Sequence, residues 1–308
     1  MHPRGVSPPM EMSAPRLSLG PLTYYWPRER ILSFYEEALR WPVEAVYLGE
    51  TVCSRRHELR LADWIDLAAR FEAAGKQAVL STYELIETDA DLRIMRSVVA
   101  NERFLVEAND MGAVRLLAAA GKRFVAGPYL NAYNGETLEV LVEAGAMRWL
   151  PPIELPAHSL RVMAAAAPQG VETEVFAYGR LPLAVSARCF TARFHNLTKD
   201  HCDYRCLDDP EGKPLLTRDG EPFLVLNGVQ TQSSRIHSLL PWIGECREIG
   251  IDWLRLSPRA NGMQQVVEAF ARAAAGDREA RLPEGHDATC DGYWRGRPGM
   301  ELVAGRTA

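Results

Sequence analysis

The chain has 308 residues, 47% of them apolar and 24% charged, with a net charge of −5, and such a chain can bury a core large enough to exclude disorder as its main state. It holds no uncharged apolar run of roughly 18 residues, so no helical membrane span is expected. The basic residues are scattered among acids rather than gathered on one stretch, which argues against a nucleic-acid surface.

Residues 1–16 are rich in Pro and Met but lack the charged region and apolar stretch of an export signal. They are expected to be a disordered leader to a single barrel domain over 17–308, in a cytoplasmic protein. Six cysteines are too few and too unevenly spaced for a secreted disulfide scaffold, so they are expected to stay reduced and free to bind metal.

Beyond the leader, strands are predicted over 17–22, 45–48, 78–81, 104–107, 123–126, 147–150, 172–177 and 253–256. Helices are predicted between them over 28–40, 61–74, 92–100, 113–120, 137–144 and 160–167, where apolar residues fall at helical spacing. Gly75, Gly121, Gly145 and Gly250 stand just past a helix, where a left-handed C-terminal cap is expected. Eight alternations of strand and helix is the number that closes a parallel sheet, so the expected fold is α/β, a (β/α)8 TIM barrel. An open two-domain sheet is the alternative. The stretch 178–234 is far longer than an ordinary strand-to-helix loop and is expected to be a functional insertion. Within it, 222–226 reads as a strand after a turn at Asp219-Gly220, and the helix answering the seventh strand is placed at 235–249.

Barrel chemistry gathers at the C-terminal ends of the strands. Cys53 follows the second strand, and Cys189, Cys202 and Cys206 lie in the insertion after the seventh, so the fold brings all four thiols to one face. Four thiolates suit a tetrahedral zinc and a four-iron cluster equally well. The radical-type C-x3-C-x2-C motif is absent, because Asp209 stands three residues after Cys206. A lone cysteine is usually an ordinary buried side chain, and Cys246, on a helical pattern, is read that way. Cys202 and Cys206 sit instead among His201, Asp203, Asp208 and Asp209, which no apolar core resembles. Cys290 is a candidate substitute ligand.

Several local sequences are more specific: Gly49-Glu50-Thr51-Val52-Cys53-Ser54-Arg55-Arg56, Glu174-Val175-Phe176, Ser186-Ala187-Arg188-Cys189, Lys199-Asp200-His201-Cys202 and Asp291-Gly292-Tyr293-Trp294-Arg295. With the segment from Gly20 to Pro27, they resemble the ubiquinone-biosynthesis branch of the family historically called collagenase-like peptidases. The resemblance runs from about 17 to 302. It implies a 4Fe-4S cluster ligated by Cys53, Cys189, Cys202 and Cys206, choosing iron-sulfur over zinc. It further implies a heterodimer with a UbiU-like protein that supports oxygen-independent hydroxylation of the aromatic ring of ubiquinone precursors, with prephenate as the proposed oxygen donor. UbiU-type relatives carry a cysteine where this chain has Pro182 and lack the one at Cys53, which places this chain on the other side of the pair.

Further polar residues near predicted strand ends are Tyr24, Glu50, Thr82, Glu107, Asn109, Asn131, Asn134, Glu154, Arg180 and Arg255, most of them expected to make structural hydrogen bonds. Arg180 and Arg188 are candidates for binding a carboxylate bidentately, or for balancing thiolate charge. No H-E-x2-H or G-x4-G-K-[ST] motif occurs. The alternatives in function are a peptidase-like hydrolase, for which no catalytic residues can be named, and a noncatalytic partner subunit whose cluster only braces the insertion.

Overall fold

The computed structural model describes residues 13–285 and 289–303. Strands β1 (Arg16–Leu19), β2 (Ala45–Leu48), β3 (Gln77–Ser81), β4 (Leu105–Ala108), β5 (Phe124–Ala126), β6 (Ala146–Trp149) and β7 (Glu172–Val185) are followed by β8 (Lys213–Leu216), β9 (Pro222–Asn227), β10 (Gln230–Ser238), β11 (Trp253–Leu256) and β12 (Thr289–Cys290). From β1 to β7 each strand pairs in parallel with the next. β11 pairs in parallel with both β7 and β1, which closes eight strands into a barrel. The expected (β/α)8 architecture is therefore the observed one.

Around it lie α1 (Arg28–Ala38), α2 (Leu61–Ala73), α3 (Asp89–Ala100), α4 (Met111–Ala119), α5 (Gly135–Glu143), α6 (Ala157–Ala166), α8 (Ile243–Ile249) and α9 (Met263–Ala274), while α7 (Phe190–Phe194) belongs to the insertion. Side chains cap several starts: Thr88 accepts from Asp91 N, Asp110 from Gly112 N and Asn134 from Thr137 N, satisfying amides that have no partner within the helix. Gly75, Gly121, Gly145 and Gly250 all have positive φ, as their places past helix ends require. The apolar core fills the layer between barrel and helices, where Trp26, Tyr35, Phe71, Phe124, Trp149 and Phe270 are fully buried.

The barrel's own interior sets a buried polar network beside a small apolar cluster of Tyr47, Val79 and Val125. Arg255 on β11 donates from Nε to Glu174 on the adjacent β7 (2.9 Å) and from Nη1 to Glu107 on β4 (2.5 Å), which stands directly opposite across the barrel. Arg148 on β6 reaches the opposite strand too, donating to the Tyr47 hydroxyl at 3.1 Å, and to Gln77 at 2.8 Å. Tyr47 in turn donates to Glu174, which also accepts from Ser18 at 2.5 Å. Two arginines thus cross the barrel as struts. Burial pushes the Glu174 carboxyl up, but Arg255 and Arg148 overcome it and hold the group below its ordinary value. Charges so placed gain little net stability as a set, yet removing one partner strands the others without water. Arg255→Met should therefore lose about 3–5 kcal/mol of stability in chemical denaturation.

The structure differs from the sequence-based expectation in four places. Residues 1–12 of the expected leader lie outside the described residues, and Arg16 already belongs to β1. The seventh strand does not stop at 177 but continues to Val185, so its first half closes the barrel and its second half pairs antiparallel with β10. Gly179 marks the junction: its φ is +138° and a Cβ there would lie 2.6 Å from the Ser257 side chain. The predicted helix 235–249 is strand up to Ser238, with helix only from Ile243. Its polar residues are buried by β7, β9 and β12 rather than by an apolar face. Finally α9, unpredicted, supplies the eighth barrel helix.

His237, on β10, stacks near Phe176 at 6.1 Å and is buried. Burial pulls its imidazole down from 6.5 to about 4, against a smaller opposing pull from Asp291. The unfolded chain therefore takes up a proton that the folded one refuses, and stability contributed above 6.5 is lost as pH falls toward about 4. Denaturation curves across that window should show this loss, and His237→Phe should lessen it.

Candidate functional site

The four cysteines singled out from the sequence line one cavity at the C-terminal side of the barrel, together with Arg55, Arg56, Lys199, Arg205 and Gly228. Cys53 comes from the loop after β2. There Glu50 accepts from the amides of Val52 (3.1 Å) and Cys53 (3.2 Å), fixing the turn that carries the thiol. Cys189 stands before α7, and its sulfur accepts from Ala192 N at 3.4 Å. Cys202 and Cys206 flank a tight loop in which Asp203 and Tyr204, neither of them glycine, both take left-handed backbone conformations. Strain of about 1–3 kcal/mol per such residue persists only where the surroundings over-determine it. Here Lys199 pairs with Glu87 at 2.5 Å and Arg55 donates to Asp200 O at 2.9 Å, tying the loop to the barrel.

Arg56 is the organising charge. Its side chain is 1% exposed, and it donates to Thr23 O at 2.7 Å and to Asn227 Oδ1 at 2.8 Å, with Glu50 3.5 Å away. Gly228, at φ +64°, permits this approach, because a Cβ there would meet Arg56 Nη2 at 2.9 Å. Burial pushes the Cys53 thiol up to about 11, and pushes Cys189 and Cys206 up as well, while Arg56 opposes the shift at all three. Thiolates in this cavity thus need compensating positive charge. Four sulfurs ringed by four cations are a donor set that suits a thiolate-ligated metal or cluster carrying net negative charge. Among the described residues no three His, Cys, Asp or Glu side chains are grouped as ligands of a single ion.

A second cavity, of about 40 Å³, occupies the mouth of the barrel and is lined by Glu107, Asn109, Tyr129, Phe176, Arg180, Gln230, Gln232, Arg255 and Ser257 among others. The two cavities are lined by neighbouring stretches of chain. Thr51 lines the mouth and Cys53, two residues on, the other; Gln230 and Gly228 divide in the same way at the turn from β9 to β10. A polar chain joins them: Gln232 donates to Gln230 (2.7 Å), Asn227 to Gln230 (3.5 Å) and Arg56 to Asn227. Beside it the buried Glu84, contacted by Gln230 at 3.0 Å, has its carboxyl pushed up to about 8 by burial. A third and larger groove, about 600 Å³, lies between α2 and α3, with Leu59, Trp64, Met95 and Val98 on its walls and Glu50 and Arg56 at its inner end.

Of the other sequence candidates, Glu107, Asn109, Arg180 and Arg255 meet at the barrel mouth, and Tyr24 reaches it by donating to Gln232 at 3.2 Å. Thr82 is structural, its hydroxyl donating to Glu107 O at 3.1 Å and accepting from Asn109 N at 2.9 Å. Asn134 caps α5, Asn131 takes a left-handed turn conformation, and Glu154 accepts from Tyr133. Arg188 is exposed and lines neither cavity. Cys290 is buried on β12 beside His237, apart from the other thiols, and Cys246 packs in the apolar core. Sequence reasoning missed Glu84, Gln230 and Gln232. The period-two spacing of the two glutamines was the available signal.

A family model described as peptidase family U32 matches residues 32–284. Among solved structures, the U32 peptidase Mk0906 is similar at 12% identity and a TM-score of 0.46, over 84% of this chain and 97% of that one. Dihydropteroate synthase from Thermus thermophilus is similar at 12% identity and a TM-score of 0.43, over 85% and 92%. Among the described residues no helix is long and apolar enough to cross a membrane. With the family match running from α1 past α9, and thus across the barrel and the cysteine-bearing insertion alike, the chain belongs to peptidase family U32.

Proposed function

We propose that this U32 protein is of the UbiV type: the iron-sulfur subunit of a cytoplasmic heterodimer with a UbiU-like protein, supporting oxygen-independent ring hydroxylation in ubiquinone biosynthesis. The observation that carries the reading is the meeting of Cys53, from the loop after β2, with Cys189, Cys202 and Cys206 on one cavity. Thiols separated by so much sequence have no structural need to share a wall. The same four positions are those that the sequence resemblance assigns to a 4Fe-4S cluster.

In this reading the four thiolates hold the cluster, which supplies one-electron chemistry when bound. Arg56 offsets their charge from within the fold, and Arg55, Lys199 and Arg205 do so from the same cavity wall. Glu50 sets the Cys53 turn through two amides. With prephenate as the proposed oxygen donor, the substrates are a ubiquinone precursor and an organic acid. A hydrolase reading needs a nucleophile paired with a base. Among the described residues the side-chain hydrogen bonds join a hydroxyl to an imidazole only at Thr198 and His201, on an exposed turn.

Iron and acid-labile sulfide analysis on protein purified without oxygen tests the ligation. Cys53→Ala, Cys189→Ala, Cys202→Ala and Cys206→Ala should each lose most of the cluster, and Cys246→Ala should keep it. Zinc without sulfide in the wild type, or full iron in the Cys202 and Cys206 variants, would refute the assignment.

The pathway is tested separately in cells. A strain carrying Cys189→Ala as its sole copy should lack ubiquinone when grown without oxygen and retain it with oxygen, at equal protein abundance by immunoblot. Normal anaerobic quinone would sink the cluster-dependent role.

A further inference from the structure

One residue on the wall of the thiol cavity is held against its own backbone preference. Asp203 and Tyr204 have φ of +49° and +52°, and Arg205 N donates to Cys202 O at 3.2 Å across them. A four-residue turn with both central residues left-handed is ordinarily built from Asp-Gly or Asn-Gly, because glycine meets no steric cost there. Asp203 suits the first of these places. Tyr204 occupies the second, where glycine would be unstrained, so the turn keeps an aromatic ring in spite of its geometry.

Position gives that ring a use. Of the four thiols, Cys53 and Cys189 are buried, at 9% and 7% exposure, and Val52, Ala192 and Val229 pack with them as an apolar cluster. Cys202 and Cys206 are partly exposed, so solvent reaches the thiols from the side of the turn that carries these two. Tyr204 stands between them in the chain, lines the cavity and is itself 37% exposed, with the thiols on one side and solvent on the other. Its ring lies against Tyr25, the centroids 5.9 Å apart. Tyr25 is a firm base: it is 5% exposed, its hydroxyl donates to Glu58 at 3.3 Å, and the Arg56 guanidinium lies over its ring at 5.5 Å. Among the described residues no hydrogen bond holds the Tyr204 hydroxyl, so the turn positions the ring rather than the polar group.

We infer that Tyr204 is the cover of the thiol site: its ring closes the Cys202–Cys206 side against bulk solvent and dissolved oxidants, and Tyr25 is the seat on which it closes. The cover itself follows from the four thiols and the turn alone. Its consequence for a cluster, slower loss to dioxygen, rests on the iron-sulfur reading of the site.

Two measurements on the full chain, purified without oxygen, test it. In one, acid-labile sulfide is followed after transfer to air-saturated buffer. In the other, iodoacetamide labelling of Cys202 and Cys206 is followed by mass spectrometry after a chelator has removed bound metal, so this arm holds whatever the thiols bind. Tyr204→Gly and Tyr204→Asn both suit a left-handed backbone and remove the ring. Each should melt near the wild-type temperature and raise both rates severalfold, because reaction at a cysteine follows its exposure. Tyr204→Phe should match the wild type in both. Phe194→Ala, which removes an exposed ring from outside the cavity wall, should change neither. Wild-type rates in the Gly and Asn variants by either measurement, or rates in Tyr204→Phe equal to theirs, would overturn the cover. Wild-type protein without iron and sulfide would count against the cluster and leave the labelling rates to decide the cover on their own.

Discussion

The fold turns on a guanidinium held in the centre of a sheet closed on itself. Arg255 reaches across the full width of the barrel to Glu107 and sideways to Glu174, where most barrels of this class place branched aliphatic layers. An apolar filling would tolerate small changes in shape, whereas a buried ionic strut fixes which strand stands opposite which. Arg148 adds a second strut from β6 to Tyr47 on β2, and Trp253 lies between the guanidinium groups of Arg148 and Arg16, at 4.0 and 3.9 Å. The position of the mouth follows from this arrangement, since Arg255 and Glu107 are at once members of the strut and part of the cavity wall.

Arg56 repeats the same device one layer further out. It is a buried cation that collects segments, joining the stretch after β1 through Thr23, the end of β9 through Asn227 and the loop after β2 through Glu50. Because Asn227 also contacts Gln230, the charge that faces the thiols is joined to the lining of the mouth by side chains packed in one network. Two cavities of unlike chemistry, one of sulfur and one of guanidinium and amide, are thus linked by one chain of side-chain hydrogen bonds.

The alternation of short β-rich runs with amphipathic stretches was enough to read the eight barrel strands, because each buries a face under a helix and the pattern records it. The convergence of the cysteines was legible for a geometric reason, as all four fall after strand ends that share a face. What stayed hidden was polar burial. Tyr47, Arg148 and Arg255 sit in strands whose neighbours are apolar, and nothing local tells an inward arginine from an outward one. The segment Gln230–Ser238 carries little apolar alternation, so its β-structure depends on β7 and β9 lying on either side. The continuation of β7 was masked by Gly179 and Pro182, residues that ordinarily punctuate strands, but which here mark the departure from the barrel and the bulged pairing with β10.

That fourteen-residue strand makes the insertion inseparable from the scaffold. One end of β7 is a stave of the barrel and the other is the backbone template for β10, on which β9 and then β8 are laid. A segment joined through flexible linkers can be cut out and transplanted between relatives, but this one shares a continuous run of main chain with the stave that completes the cylinder. Recombination that exchanged the insertion would have to carry Glu174 of the strut with it, so Cys189, Cys202 and Cys206 travel with part of the barrel interior as a single heritable block.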